Sequence, residues 1–308
     1  MKSKLKLFCL AFSVVSVGMF AAPLNADEPY TRTQDVIYGR KFGTALTLDV
    51  IAPKENANGA AIVWAVSGGW FSAHEGINPA FVGEYLKRGY TVFAVVHGSQ
   101  PKFTIPEVLD DMHRAVRFIR SRADEYKIDP NRIGITGGSA GGHLSLMQGT
   151  TGTDGNPEAK DPLEKYSSRV QAVACFYPPT DFLNYGKTGE TALGTGILKD
   201  FRAPFDFREY DNSIKAFVTI TDENKRLDIG RKISPAYQVT EDDAPALIVH
   251  GDADTLVPIQ QAELIIEKFK EAKVPCELVV KKGAGHGWNL SEDMPKLADW
   301  FDKYLAKK

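Results

Sequence analysis

Ser139 stands in Gly137-Gly138-Ser139-Ala140-Gly141, a G-x-S-x-G pattern at the end of the apolar run "RIGIT". A serine hydroxyl becomes a nucleophile only when a base takes its proton and a third group orients that base. Small neighbours suit a tight strand-to-helix turn that lifts the hydroxyl above a sheet edge and aims the next amide, that of Ala140, at the same space. The same glycines also fit an anion-binding turn at a helix N-terminus. Chain order separates the two readings, because a hydrolytic serine of this kind is followed by an acid after a later strand and by a histidine after the last one. Of the six histidines, only His286, in "GAGHGW", follows "HGDADTLVP". Two carboxylates, Asp252 and Asp254, compete at the end of "ALIVHG". Asp254 lies deeper in the loop, before a helix starting near Pro258, and is the expected partner of His286; Asp252 would then cap or brace the turn.

Acyl chemistry also needs donors for a developing oxyanion. In "AVSGGWFSAHEG", Gly68 and Gly69 bring backbone N–H groups close with no side chain in the way, and Ala140 adds a third. Trp70 and Trp288 stand beside these groups and are expected to line an aromatic substrate pocket, although each would serve equally as core. His143, in the helix after the serine, and His250, closing a strand, read as packing residues. His74, His97 and His113 have no spacing that suggests a metal site, and the chemistry calls for no metal or organic cofactor.

Elements must hold these residues in place. Apolar, β-branched runs at 45–53, 61–66, 91–96, 132–136, 170–176, 246–251 and 276–282 read as strands. Amphipathic helices fall between them, at 78–87, 259–273, 293–306 and from Pro106, whose stripe is Leu109, Met112, Val116 and Ile119. Strands alternating with helices predict an α/β fold with a mostly parallel sheet covered on both faces. Residues 181–238 break the rhythm: they show no convincing strand, are rich in Gly, Phe and Tyr, and read as a small insertion over one edge of the sheet.

Composition is that of an ordinary globular chain, 308 residues with 43% hydrophobic and 25% charged. Three lysines, an apolar run and then small residues make 1–26 an expected signal peptide, which would place the rest, 27–308, in a secreted or periplasmic setting with no stable membrane insertion after cleavage. Removing those lysines lowers the basic count from 37 to 34 against 39 acids, a net charge of −5 that gives no support to a nucleic-acid partner. Cys175 and Cys276 remain, both in strand-like runs, and read as buried free thiols rather than a bridge.

Five landmarks stand along the chain, "GGSAGGHLS", "FTIPEVLDDMHRAVRFIR", "FYPPTDF", "ISPAYQVTEDDAPALIVHGDADTLVP" and "GAGHGW". Together they resemble secreted α/β-hydrolases of the hormone-sensitive-lipase and feruloyl/acetyl-xylan esterase type. The resemblance runs from about Leu46 onward. It implies an α/β-hydrolase fold with an eight-stranded sheet and a small cap-like insertion, and a catalytic triad of Ser139, Asp254 and His286. It also implies a carboxylesterase-type serine hydrolase whose substrate is a short-chain ester or an esterified saccharide. Related loops read His-Gly-Gly-Gly where this chain has Val66-Ser67-Gly68-Gly69, so the histidine that braces such loops is absent; a Tyr-Arg pair after the fourth strand is replaced by Val96-His97. An amide or peptide hydrolase, with a formamidase-like Gly-Gly-Trp loop, and a non-catalytic binding protein are the competing readings. If 181–238 roofs the serine and Trp70 narrows the same space, short acyl groups are preferred.

Overall fold

The structure, a computed structural model, describes residues 28–307, and the expected signal segment 1–26 lies outside the described residues. Its strands are β1 (Tyr30–Lys41), β2 (Thr44–Pro53), β3 (Ala61–Ala65), β4 (Thr91–Val96), β5 (Ile133–Gly138), β6 (Ala172–Phe176), β7 (Arg208–Asp211), β8 (Ala216–Thr219), β9 (Ala246–Gly251) and β10 (Cys276–Lys281). The helices are α1 (Gly83–Lys87), α2 (Ile105–Ser121), α3 (Ala123–Tyr126), α4 (Ala140–Thr151), α5 (Glu223–Lys232), α6 (Gln260–Glu271) and α7 (Met294–Tyr304).

Runs of Val, Ile and Ala without polar alternation are stable only where both faces are covered. β3, β6 and β9 are buried at every residue, and they occupy the middle of an eight-stranded sheet of order β1-β2-β4-β3-β5-β6-β9-β10. Neighbours from β4 through β10 pair in parallel, while β1–β2 and β2–β4 are antiparallel. Alternate residues of each strand feed two cores. Val173, Cys175 and Ile248 pack on the side of α2, α4 and α6; Ala172, Ala174, Phe176, Leu247 and Val249 pack with Leu297 and Phe301 of α7. This is the expected α/β-hydrolase architecture. α2 begins one residue before Pro106, and the carboxylate of Glu107 accepts from both the amide (2.8 Å) and the hydroxyl (3.0 Å) of Thr104 at its start.

Three features differ from the sequence reading. The edge strand β1 carries little apolar signal because only Tyr38 and Gly39 are buried and two register shifts interrupt its pairing with β2. Residues 181–238 do contain strands: β7 and β8 form a hairpin whose four-residue arms are too short and too exposed for an alternating pattern, with Tyr210 opposite Phe217. Both cysteines are free, but Cys276 is only half-buried. β9 separates their strands, so the two backbones lie roughly 10 Å apart at the usual strand spacing, beyond the reach of a disulfide.

Candidate active site

The parallel strands end on one side of the sheet, and each loop there delivers one group. β5 runs directly into α4, and Ser139 is the single residue between them, with φ 53° and ψ −120°. For a non-glycine residue this is a sparsely populated conformation, strained by on the order of 1–3 kcal/mol. The turn is possible because the strand and helix backbones nearly touch: a Cβ on Gly137 would lie 2.5 Å from the Gly141 backbone. Ser139 N–H is tied to the Phe176 carbonyl of the next strand at 3.0 Å.

Loops after β9 and β10 bring the other two groups to the serine. His286 Nδ1 lies 2.7 Å from Asp254 Oδ2 and His286 Nε2 lies 2.9 Å from Ser139 Oγ. A carboxylate only accepts, so Nδ1 carries the proton and bare Nε2 faces the hydroxyl. Asp254 is 6% exposed, and its other oxygen accepts from the amides of Leu256 (3.0 Å) and Val257 (2.9 Å). Burial works against its charge, but the His250 and His286 rings and the Val257 amide outweigh it and hold the carboxyl well below its usual range. Asp252 does not reach the histidine. It is exposed and accepts from Gly283 N–H at 2.6 Å, which braces the loop carrying His286.

The glycines after β3 form a tight turn. Gly68 and Phe71 exchange backbone hydrogen bonds (3.0 and 2.9 Å), and Gly69 and Trp70 between them both have positive φ, 54° and 58°, the signature of a type I′ turn. Of the three expected oxyanion donors, the Gly68 amide is therefore committed to Phe71. Ala140, the first residue of α4, keeps an N–H with no intrahelical acceptor, and the Gly69 N–H lies outside the Gly68–Phe71 bridge.

A cleft of about 820 Å³ opens over Ser139 and His286, lined among others by Phe71, Glu75, Tyr177, Phe201 and Leu256. Neither tryptophan expected there lines it. Trp70 is 3% exposed and packs on His143, Phe182 and Phe205, because its left-handed backbone turns the ring into the core and leaves Phe71, 54% exposed, facing the cleft. Trp288 stands behind the wall: its indole N–H donates to Asp293 (2.8 Å), and its ring backs Tyr177 at 5.3 Å.

Tyr177 and Phe201 went unassigned in the sequence reading. Tyr177 has φ 34°, an unusual value for an aromatic residue, and its ring lies 4.7 Å from that of His286. Burial, reinforced by Asp254, pushes its phenol up to about 12, so the hydroxyl stays protonated. "FYPPTDF" marked the position without revealing the contact. Phe201, from the insertion, covers the Gly68–Phe71 turn so closely that a Cβ on Gly69 would meet its ring at 2.6 Å. Nothing in the local sequence points to that contact. Tyr185, also from the insertion, donates to the Leu256 carbonyl (3.1 Å) and steadies the loop that carries Asp254.

Among the remaining histidines, His143 and His97 are buried and hydrogen-bonded, and His250 donates from Nε2 to the Val257 carbonyl at 2.8 Å. His74 sits 3.3 Å from buried Asp49, with Asp35 close by, but Arg32 already supplies the cation at that carboxylate, at 2.6 Å. No helix among the described residues is long and apolar enough to cross a membrane.

The chain matches a known family, whose BD-FAE model covers residues 48–269. The chain belongs to the BD-FAE family. An acetylxylan esterase of Xylanibacter ruminicola is 38% identical over 82% of this BD-FAE chain and 48% of its own length. A probable carboxylic ester hydrolase of Mycobacterium tuberculosis, LipM, is 28% identical over 87% of this chain and 58% of its own. The chain thus spans only about half the length of these curated relatives. Among solved structures, a truncated carbohydrate esterase from gut microbiota superposes with TM-score 0.74 at 27% identity, covering 92% of this BD-FAE chain and 99% of that one.

Proposed function

We propose that this chain is a serine hydrolase of carboxylic esters, acting on short-chain acyl esters and on acylated carbohydrates. One observation carries the reading: the unbroken line of hydrogen bonds from Ser139 Oγ through His286 to Asp254, on the floor of an open cleft. Ser139 Oγ attacks the ester carbonyl as His286 Nε2 takes its proton. Asp254 keeps the imidazole in the required tautomer and stabilises the imidazolium. The amides of Gly69 and Ala140 hold the oxyanion. His286 then protonates the leaving alcohol, and a water deprotonated by the same nitrogen cleaves the acyl-enzyme to release the acid. No step calls on a metal or organic cofactor.

The saccharide part of the reading is supported by the acetylxylan esterase and carbohydrate esterase relatives, and by the exposed Phe71 ring, a surface on which a sugar face can stack. Export to the periplasm or the medium is proposed from the lysine, apolar and small-residue pattern of 1–26 alone. The test is a fluorophosphonate label together with hydrolysis of p-nitrophenyl acetate. Wild type is expected to label on Ser139 and turn over the ester, whereas Ser139→Ala loses on the order of 10⁶-fold. Wild-type-like turnover in the folded variant sinks the assignment.

A further inference from the structure

The turn that offers the Gly69 amide is strained, since a bulky tryptophan follows the glycine at positive φ. It also lacks the histidine that related loops carry at the position of Val66. Something else must keep it in shape. Resting on the hydrolase reading above, we infer that His97 and His143 are positioning residues that grip this turn from its two sides and so fix the Gly69 N–H relative to Ser139.

On the leading side, His97 Nε2 lies 2.8 Å from Ser67 Oγ, while its Nδ1 lies 2.7 Å from the Gly98 carbonyl. A carbonyl only accepts, so Nδ1 carries the proton and the Ser67 hydroxyl donates to Nε2. The same residue grips the loop a second time. His97 N–H donates to Ser72 Oγ (3.3 Å), and Ser72 Oγ donates to the Val66 carbonyl (2.6 Å). The strand end behind it is fixed in turn, since Gly98 N–H donates to buried Asp111 (2.8 Å), which pairs with Lys41 (2.6 Å).

On the trailing side, the Trp70 indole N–H donates to His143 Nδ1 at 3.1 Å, and His143 Nε2 donates to the Ile233 carbonyl at 2.7 Å. His143 sits one helical turn beyond the nucleophile, with its amide bonded to the Ser139 carbonyl at 2.9 Å. The helix that supplies the Ala140 amide therefore also holds the turn that supplies the Gly69 amide. The two rings use opposite tautomers, and each presents its bare nitrogen to the turn. Burial pushes both down to about 4, so both stay neutral acceptors at neutral pH. The bracing histidine missing at position 66 is replaced by two that are distant in sequence.

Three substitutions test this. Trp70→Phe keeps the ring and removes only the indole donor, Ser67→Ala removes the hydroxyl, and Ser67→Thr restores one. Each is assayed on p-nitrophenyl acetate beside wild type and Ser139→Ala, with active sites titrated by fluorophosphonate and folding followed by circular dichroism. Trp70→Phe and Ser67→Ala are expected to lose at least fivefold in kcat per titrated site, with KM within twofold, because a displaced oxyanion donor is felt in the transition state. Ser67→Thr should recover most of the loss. A fall of less than fivefold per titrated site, or one fully matched by a loss of titratable sites, overturns the inference and leaves the two histidines as packing residues. If Trp70→Phe does not fold, the Ser67 pair decides. Turnover surviving in Ser139→Ala rejects the hydrolase reading itself; a dead Ser139→Ala beside unaffected Trp70→Phe and Ser67→Ala rejects the grip alone.

Discussion

Two aspartates two residues apart end up with different work because one is buried and the other is not. Asp254 is enclosed, takes two backbone amides on one oxygen and His286 on the other, and is held well below the usual carboxylate range. The sign follows directly. A depressed carboxyl stays ionised down through the ordinary range near 4, so it orients His286 at every pH above that. Asp254→Asn keeps the shape but favours the wrong tautomer, and it should lower kcat on p-nitrophenyl acetate on the order of 10⁴-fold. Asp252→Asn, at an exposed carboxylate that accepts only from Gly283, should cost less than tenfold in the same assay. The opposite order of severity would move the acid to Asp252.

At the scale of elements, the junction of β5 and α4 is closely packed. A methyl group on Gly137 would meet the Gly141 backbone at 2.5 Å, and backbone cannot rotate away. Gly137→Ala should therefore destabilise the fold by about 3 kcal/mol, the upper part of the range for overpacking, and urea denaturation measures it. The insertion covers the neighbouring turn after β3 through Phe201, which lies against Gly69. With Trp70 in the core, it is Phe201 and Phe71 that bound the cleft beside the oxyanion turn. For wild type, kcat/KM across p-nitrophenyl esters should peak from acetyl to butyryl and fall at least tenfold by octanoyl, about 1.4 kcal/mol of transition-state binding. Phe201→Ala should raise the octanoyl-to-acetyl ratio severalfold. Rates that climb through decanoyl in wild type would reject the short-acyl preference.

The whole molecule carries three histidines pushed down to about 4. Burial is the first cause in each: His97, His113, where Arg117 adds to it, and His143. An unfolded histidine binds its proton near 6.5, so between about pH 6.5 and 4 these three groups hold more protons in the unfolded chain than in the native one. Their contribution to stability rises with pH across that window, complete above about 6.5 and progressively lost on acidification toward 4. Asp243, which burial pushes up to about 6, works the other way over part of it, because it gives up a proton on unfolding. Asp254, depressed rather than raised, adds its own loss only below about 4. The fall of the urea midpoint from pH 6.5 to 4 should be less steep in His113→Gln, which lies away from the cleft, than in wild type. Equal slopes in the two would contradict the burial of that ring as a neutral group.

Sequence by itself determined the parts that repeat or that chemistry constrains locally. Apolar runs without alternation become central strands because only a sheet covered on both faces can bury them. The glycines around Ser139 mark a backbone approach that no side chain survives, and chain order singled out His286. Signals of this kind lie within a few residues of the groups they describe. Tertiary structure decided the rest. Trp70 and Phe71 are neighbours in sequence, yet a positive φ at Trp70 sends one ring into the core and the other to the cleft. The Gly68 amide is spent inside its own turn, and Phe201 roofs Gly69 from more than a hundred residues away in the chain. His143 reads as ordinary packing and His97 only as lacking a metal ligand's spacing, until the fold sets their bare nitrogens against Trp70 and Ser67. Which atoms face each other across such distances depends on how the strand ends and the insertion pack, and no local pattern of residue types encodes that.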